Sequence, residues 1–463
     1  MQLHSLFTVL LALVLCCRFA PGAQAAAVDN LRTSISPARV RIVLDSKAPI
    51  DYNYGKEGTK LIVELPHSAA KKQQANLKSE LIKSVKLSPV GKTAGRLEIV
   101  LKKECQYRIY QLKNPDRLVL DLFRINIIKN TESLGNGVSY TYMQDELSGQ
   151  QFQAYLVTVA PGSRYELRPF SAAGTFNGRA KLSEQAKQRN MLAAINASYF
   201  DTDGWVIGNV KDKGRLMAID SQPRSGYVTV GNTRQIIKDI AYRGVVVLPS
   251  GTQLPIKGMN RQRIANDLVL YNSYYAASTK TNMYGREIKV KNNKVVAVAT
   301  AGNMKLESDC EVISGHGNMA QALAGIKVGD TVQIVHSYGS QLADAAEMLV
   351  SGGPLLLEGG RVNVRTAEEN IAKDIAKGRA PRTALGLKKD GSLLLLVVDG
   401  RNMHSAGLTL TELAQYFLRL GAVDAVNLDG GGSSEMVIKG KIMNRPSDGK
   451  ERSVSMGLGL FAK

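Results

Sequence analysis

Leu393 to Val398 is an unbroken run of six apolar residues that ends in Asp399-Gly400-Arg401. A strand with apolar side chains at every position must be covered on both faces, so this run belongs in the interior of a layered domain. Thr409 to Leu420 follows with apolar residues at helical spacing: Leu410, Leu413, Ala414, Phe417 and Leu420. Thr409 and Glu412 have the spacing of a capping box, and Gly421 supplies the stop. A second short apolar run, Ala425 to Leu428, then ends in Asp429 and three consecutive glycines, Gly430, Gly431 and Gly432, followed by Ser433 and Ser434. Strand, helix, strand is the pattern of an α/β unit. Two parallel strands would bring Asp399 and Asp429 to one sheet edge, where such sheets place ligands. The glycines permit positive φ and close backbone approach, successive N–H groups in such a turn can receive an anion, and the serines add hydroxyls. Two carboxylates beside an anion-binding turn suit hydrolysis at an anomeric carbon. The plain structural alternative is that each Asp begins a tight turn.

Pro381-Arg382-Thr383-Ala384-Leu385-Gly386, Val398-Asp399-Gly400-Arg401, Gly407 to Ala414 and Asn427 to Ser434 together resemble the phosphodiester glycosidase domain family. Ala194-Ile195-Asn196-Ala197-Ser198-Tyr199-Phe200 and Arg452-Ser453-Val454-Ser455 extend the resemblance, which spans roughly Gln151 to Lys463. It implies a hydrolase that cleaves a sugar-1-phosphodiester at the sugar side. On that reading Asp399 and Asp429 are the catalytic carboxylates. Arg382, Arg401, Arg452 and the turn from Gly430 to Ser434 bind phosphate, and Asn196 and Tyr199 contact the sugar. Arginine suits this role because its planar fork matches a phosphate. Ala197-Ser198 stands where the family often carries a glycine pair.

Two other functions fit parts of the chain. Ser433 or Ser434 as an esterase nucleophile needs a nearby base, and the G-x-S-x-G elbow is absent. A non-catalytic binder of anionic polymers would use the basic N-terminal region instead.

Leu6 to Cys17 is apolar and Ala23-Gln24-Ala25 is a small-residue cleavage pattern, so residues 1–25 read as a secretory signal peptide and the chain as exported to the periplasm or cell envelope. No later segment is long enough for a transmembrane anchor. Residues 26–130 carry 20 Lys or Arg against 10 Asp or Glu, half of the net +20. That excess favours polyanions, and no nucleic-acid module signature accompanies it. Short alternating runs such as Val40 to Leu44, Leu97 to Leu101 and Arg117 to Phe123 predict a small β-sandwich. Arg39 to Asp45 and Asn114 to Asp121 resemble the AMIN domain, which implies docking to peptidoglycan or another envelope polymer. Residues 131–150 read as a linker.

The expected architecture is therefore α+β or mixed α/β: the small sandwich, then a mixed-sheet catalytic domain with a β-rich subdomain. Cys105 and Cys310 are too far apart in sequence for a metal motif. Asp201-Thr202-Asp203-Gly204 begins like a calcium loop without completing one, so no cofactor is firmly implied, although a divalent cation such as calcium has a place to start.

Overall fold

Alternate residues of Leu393–Val398 face two different layers. In the computed structural model, which describes residues 26–36, 39–75, 77–124, 127–148, 150–171 and 178–463, Leu394, Leu396 and Val398 pack with Leu413, Ala414 and Phe417 of the helix Leu410–Arg419. Leu393, Leu395 and Val397 pack with Ile195, Leu458 and Leu460 of a second sheet. This double cover explains the unbroken apolar run. The helix itself begins as its sequence requires: Thr409 Oγ1 accepts the Glu412 N–H at 3.2 Å and Glu412 Oε2 accepts the Thr409 N–H at 3.0 Å. It lies close to the sheet because Gly386 has no side chain; a Cβ there would meet the Phe417 ring at 2.6 Å.

Leu393–Val398 belongs to an eight-stranded sheet. Its order is Ile128–Gly135, Val138–Leu147, Gln150–Val159, Leu393–Val398, Arg382–Lys388, Ala422–Asn427, Leu355–Glu358 and Arg361–Val362. Every pairing in it is antiparallel. The expected strand–helix–strand unit is present, but Arg382–Lys388 lies between its two strands and pairs antiparallel with each. Leu393–Val398 and Ala422–Asn427 therefore run in the same direction without touching. Residues 131–150, expected as a linker, form most of the edge strand of this sheet and of the strand beside it.

The second sheet has the order Tyr165–Ser171, Met456–Ala462, Ala193–Asn196, Met436–Ile438 and Lys441–Ile442. Between Val206 and Ser351 the chain builds further small sheets around their own apolar core. Half of the described residues are in strands and 8% in helix, which corrects the mixed α/β expectation. A doubly buried strand needs two covers, and here one of them is another sheet rather than a second layer of helices.

The chain divides into two units, Met1–Ile125 and Asn126–Lys463. The N-terminal unit has two five-stranded sheets with a shared core that includes Ile42, Leu44 and Leu120 from one sheet and Leu61, Val63 and Ile99 from the other. The expected signal peptide, residues 1–25, lies outside the described residues. Among the described residues no helix is long and apolar enough to cross a membrane.

Candidate active site

Asp399 and Asp429 follow the C-terminal ends of two strands that run in one direction, and Pro381-Arg382 opens the strand between them. The sheet thus brings the three motifs to one edge. The turn after Asp429 is fastened from several sides. The Asp429 N–H donates to Ala197 O at 2.8 Å, and the Gly431 N–H donates to Pro381 O at 2.9 Å. The Asn196 amide donates to Asp429 O at 2.7 Å and accepts the Glu435 N–H at 3.1 Å and the Thr383 hydroxyl at 2.7 Å. Asn196 is only 1% exposed. Its amide closes both ends of the turn, which replaces the expected contact with a sugar.

The two aspartates differ in environment. Asp399 is 1% exposed. Its carboxylate accepts the Tyr155 hydroxyl at 3.0 Å, the Asn444 amide at 3.2 Å and the Arg445 N–H at 3.1 and 3.2 Å. Burial raises its pKa, and these donors oppose the rise. The expectation that both carboxylates face one opening is corrected: Asp399 is an internal anchor for residues 444–445. Asp429 is partly exposed. Burial pushes its pKa up to about 6, against the stabilising effect of the Ser433 hydroxyl, the Gly430 N–H and the Arg452 charge.

The glycines act less as an anion cradle than expected. Residues 431–433 form a single 3₁₀ turn. Its closure uses the Ser433 N–H on Gly430 O at 3.2 Å and the Ser434 N–H on Gly431 O at 3.2 Å. Gly431 has φ +61°, which a side chain would strain. What surrounds the glycines is guanidinium. A Cβ on Gly431 would lie 3.5 Å from both terminal nitrogens of Arg401, and one on Gly432 would collide with Arg452 Nη2. Arg401 is exposed, and among the described residues no hydrogen bond or ion pair holds its guanidinium. Arg452 pairs with Asp448 at 2.6 Å and reaches Ser433 Oγ at 3.4 Å.

Arg382 is different. It is 2% exposed, and its three guanidinium nitrogens donate to the carbonyls of Leu408, Ile375 and Gly378 at 2.9, 3.2 and 3.1 Å. It staples two loops together, which corrects its expected role as a phosphate grip. Tyr199 stays beside the turn. Its hydroxyl donates to Gly353 O at 2.9 Å and accepts the Asn427 amide at 3.0 Å, and burial together with the Asp429 charge raises its pKa. Ser433 and Ser434 are each 2% exposed, and among the described residues no histidine bonds to either. Asp201 Oδ1 accepts the N–H groups of Asp203 and Trp205 at 3.0 and 2.8 Å, so the calcium-like segment is a turn held by its own carboxylate.

Residues 275–461 match the phosphodiester glycosidase family. A 90-residue stretch is 42% identical to a prophage-derived uncharacterized protein of Bacillus subtilis, covering 19% of this chain and 14% of that protein. Over 153 residues the chain is 29% identical to the mouse N-acetylglucosamine-1-phosphodiester alpha-N-acetylglucosaminidase, covering 30% of this chain and 29% of the enzyme. The chain thus spans less than a third of the length of these relatives. A crystal structure of a hypothetical protein from Synechocystis shares the fold, with TM-score 0.65 and 22% identity, over 95% of this chain and 81% of that one. The Asp399, Arg401 and Asp429 motifs all lie inside the family-matched region, whereas Asn196 and Tyr199 lie before it.

No local sequence signal pointed to Tyr155, Asn444 or Arg445 as partners of Asp399. Sequence reasoning also missed a carboxyl pair next to the turn. Glu435 is 3% exposed, and one of its oxygens has no partner. Glu451 holds Ser183 through two bonds, from the N–H at 2.8 Å and the hydroxyl at 2.7 Å. Burial, with the adjacent Glu451 carboxylate, pushes the Glu435 pKa up to about 9. The one available signal was the acidic residue that ends the Gly-Gly-Gly-Ser-Ser-Glu run.

Proposed function

We propose that the C-terminal unit hydrolyses a sugar-1-phosphodiester at the sugar side, with an N-acetylglucosamine-1-phosphodiester as the model substrate. The supporting observation is Asp429: a partly exposed carboxylate with a raised pKa, set in a turn flanked by the guanidinium groups of Arg401 and Arg452. In this reading the arginines hold the phosphate, and their charge stabilises it as it departs. A phosphodiester leaves as a stable anion, so it makes little demand for a general acid. The reachable carboxylate is then best used ionised, as nucleophile or as base toward water. Activity should therefore rise with pH through about 6, where Asp429 loses its proton. Asp399 contributes by fixing residues 444–445, and Arg382 by fixing the loops on either side of Pro381.

The N-terminal unit carries much of the positive charge and places Tyr54 at the surface, edge-on to Tyr107 with ring centroids 6.2 Å apart. We assign it to holding an anionic envelope polymer such as peptidoglycan, with the whole protein exported to the periplasm or envelope. The test is incubation of the purified protein with a panel of sugar-1-phosphodiesters in ¹⁸O-water. Label in the sugar with unlabelled phosphate supports the reading; label in the phosphate makes the protein a phosphodiesterase. Retention of polymer with no turnover of any substrate would make it a binding protein.

A further inference from the structure

Tyr199, beside the Asp429 turn, belongs to a two-stranded ribbon in which Tyr199 pairs with Ile207 and Phe200 with Val206. The other strand of that ribbon lines a cavity of about 590 Å³. The tip between the strands is closed by the Asp201 carboxylate, whose bond to the Trp205 N–H fixes that residue at the cavity wall. Tyr242, Arg243, Lys257 and Asp220 also line the cavity. The charged groups are not equivalent. Asp220 accepts the Gln222 N–H at 2.9 Å, and Lys257 donates to Asn266 O at 3.1 Å. Arg243 is exposed, and among the described residues no hydrogen bond or ion pair holds its guanidinium.

We propose that this cavity is the subsite for the part of the substrate beyond the phosphate, and that it takes a second sugar bearing an anionic group. The sugar stacks on Trp205 and its anion pairs with Arg243. The volume falls within the range of small-ligand sites. A pyranose has an apolar C–H face and a rim of hydroxyls, which matches one aromatic wall surrounded by hydrogen-bonding groups. A lipid tail would need apolar lining throughout, and Asp220, Arg243 and Lys257 interrupt it. A free guanidinium is suited to a phosphate or carboxylate. The ribbon that carries Tyr199 to the turn also carries Trp205 to the cavity wall, which links the two structurally. This inference rests on the glycosidase reading.

Trp205 is the only tryptophan of the chain, so its emission reports on the cavity without a label. The experiment titrates the Asp429→Asn protein with a dimer of two sugars joined through a phosphodiester and bearing a terminal phosphate. A parallel titration uses the methyl N-acetylglucosamine-1-phosphodiester. The dimer should change the emission saturably and the methyl diester should not. Arg243→Ala should weaken dimer binding about tenfold, the factor produced by losing one good contact. In the active protein, the same substitution should raise the ratio of KM for the dimer to KM for the methyl diester by a similar factor. Unmoved emission with a dimer that the active protein hydrolyses would overturn the proposal. So would emission that responds to uridine monophosphate and not to the dimer. Saturable emission with no hydrolysis of either diester would remove the glycosidase reading and leave the cavity as a sugar-phosphate site.

Discussion

Two strand ends that look alike in sequence have become two different things. An apolar run followed by Asp-Gly occurs at Val398-Asp399-Gly400 and again at Leu428-Asp429-Gly430. The first carboxylate is enclosed by Tyr155, Asn444 and Arg445, whereas the second remains partly open and lies near Arg452. The difference comes from what other segments bring to each end. Residues 150–159 pair directly with Leu393–Val398 and deliver Tyr155, while Ala422–Asn427 has the loop before Leu355–Glu358 and the Asn196 segment as its neighbours. A shared local signature therefore marks one residue that holds the structure and one that is available for chemistry.

The sharpest way to break this comparison is to neutralise each aspartate in turn and measure both activity and stability. Asp429→Asn should lower kcat/KM by about a thousandfold or more, the scale of losing a reacting carboxylate. It should not destabilise the fold. The raised pKa means the ionised group disfavours the folded state above about pH 6, so the variant should be about 1–2 kcal/mol more stable at pH 8. That gain should vanish at pH values where Asp429 is protonated in both states. Urea unfolding at the two pH values reads the sign, and loss of stability at pH 8 would place Asp429 with the structural residues.

Asp399→Asn should show the reverse. Burial raises the Asp399 pKa as well, but an Asn amide presents N–H groups to a site where every neighbour is already a donor, and that mismatch should cost the variant about 2–4 kcal/mol of stability. Turnover per folded molecule should fall much less than in Asp429→Asn. A thousandfold loss in a fully folded Asp399→Asn protein would restore the two-carboxylate mechanism.

The parts of this arrangement that were legible in the sequence are the local ones. Alternation, the Thr409–Glu412 cap and the glycine run each depend on residues within one turn or strand, and they appear where expected. The strand order was not legible, because pairing between distant segments leaves no local mark. The insertion of Arg382–Lys388 between the two aspartate strands turned an expected parallel pair into an antiparallel sheet. The same limit applies to the arginines. Arg382 and Arg401 both sit in family-like motifs, yet only the fold shows that Arg382 donates to three carbonyls while Arg401 remains exposed over Gly431.

That contrast gives the next, smaller effect. Arg401→Ala should raise KM for a small sugar-1-phosphodiester about tenfold, since an exposed cation that binds phosphate contributes on the order of 1.4 kcal/mol. Its stability should stay within about 0.5 kcal/mol of the parent. Unchanged KM would leave Arg452 as the phosphate contact of this turn.

The smallest expected effect concerns Glu435, the acidic residue of the turn segment that is as buried as Asp399 but lacks its donors. Asp399 has four hydrogen bonds to its carboxylate; Glu435 instead meets Glu451, with Ser183 from the neighbouring helix binding only the second of the two. With a pKa pushed up to about 9, Glu435 keeps its proton in the folded state while an unfolded glutamate has lost it. The folded protein therefore binds more protons than the unfolded one, and stability from this group is fully present at acid pH and is lost as pH rises toward and through about 9. Glu435→Gln replaces the acid with a neutral donor of the same shape, so its stability should be flatter with pH. The urea midpoint of the parent should fall against that of the variant, with a difference growing by about 1 kcal/mol between pH 8 and pH 9. Parallel curves for the two proteins would mean that Glu435 is ionised at neutral pH, and that an enclosed carboxylate at this edge can stay charged without the donors that surround Asp399.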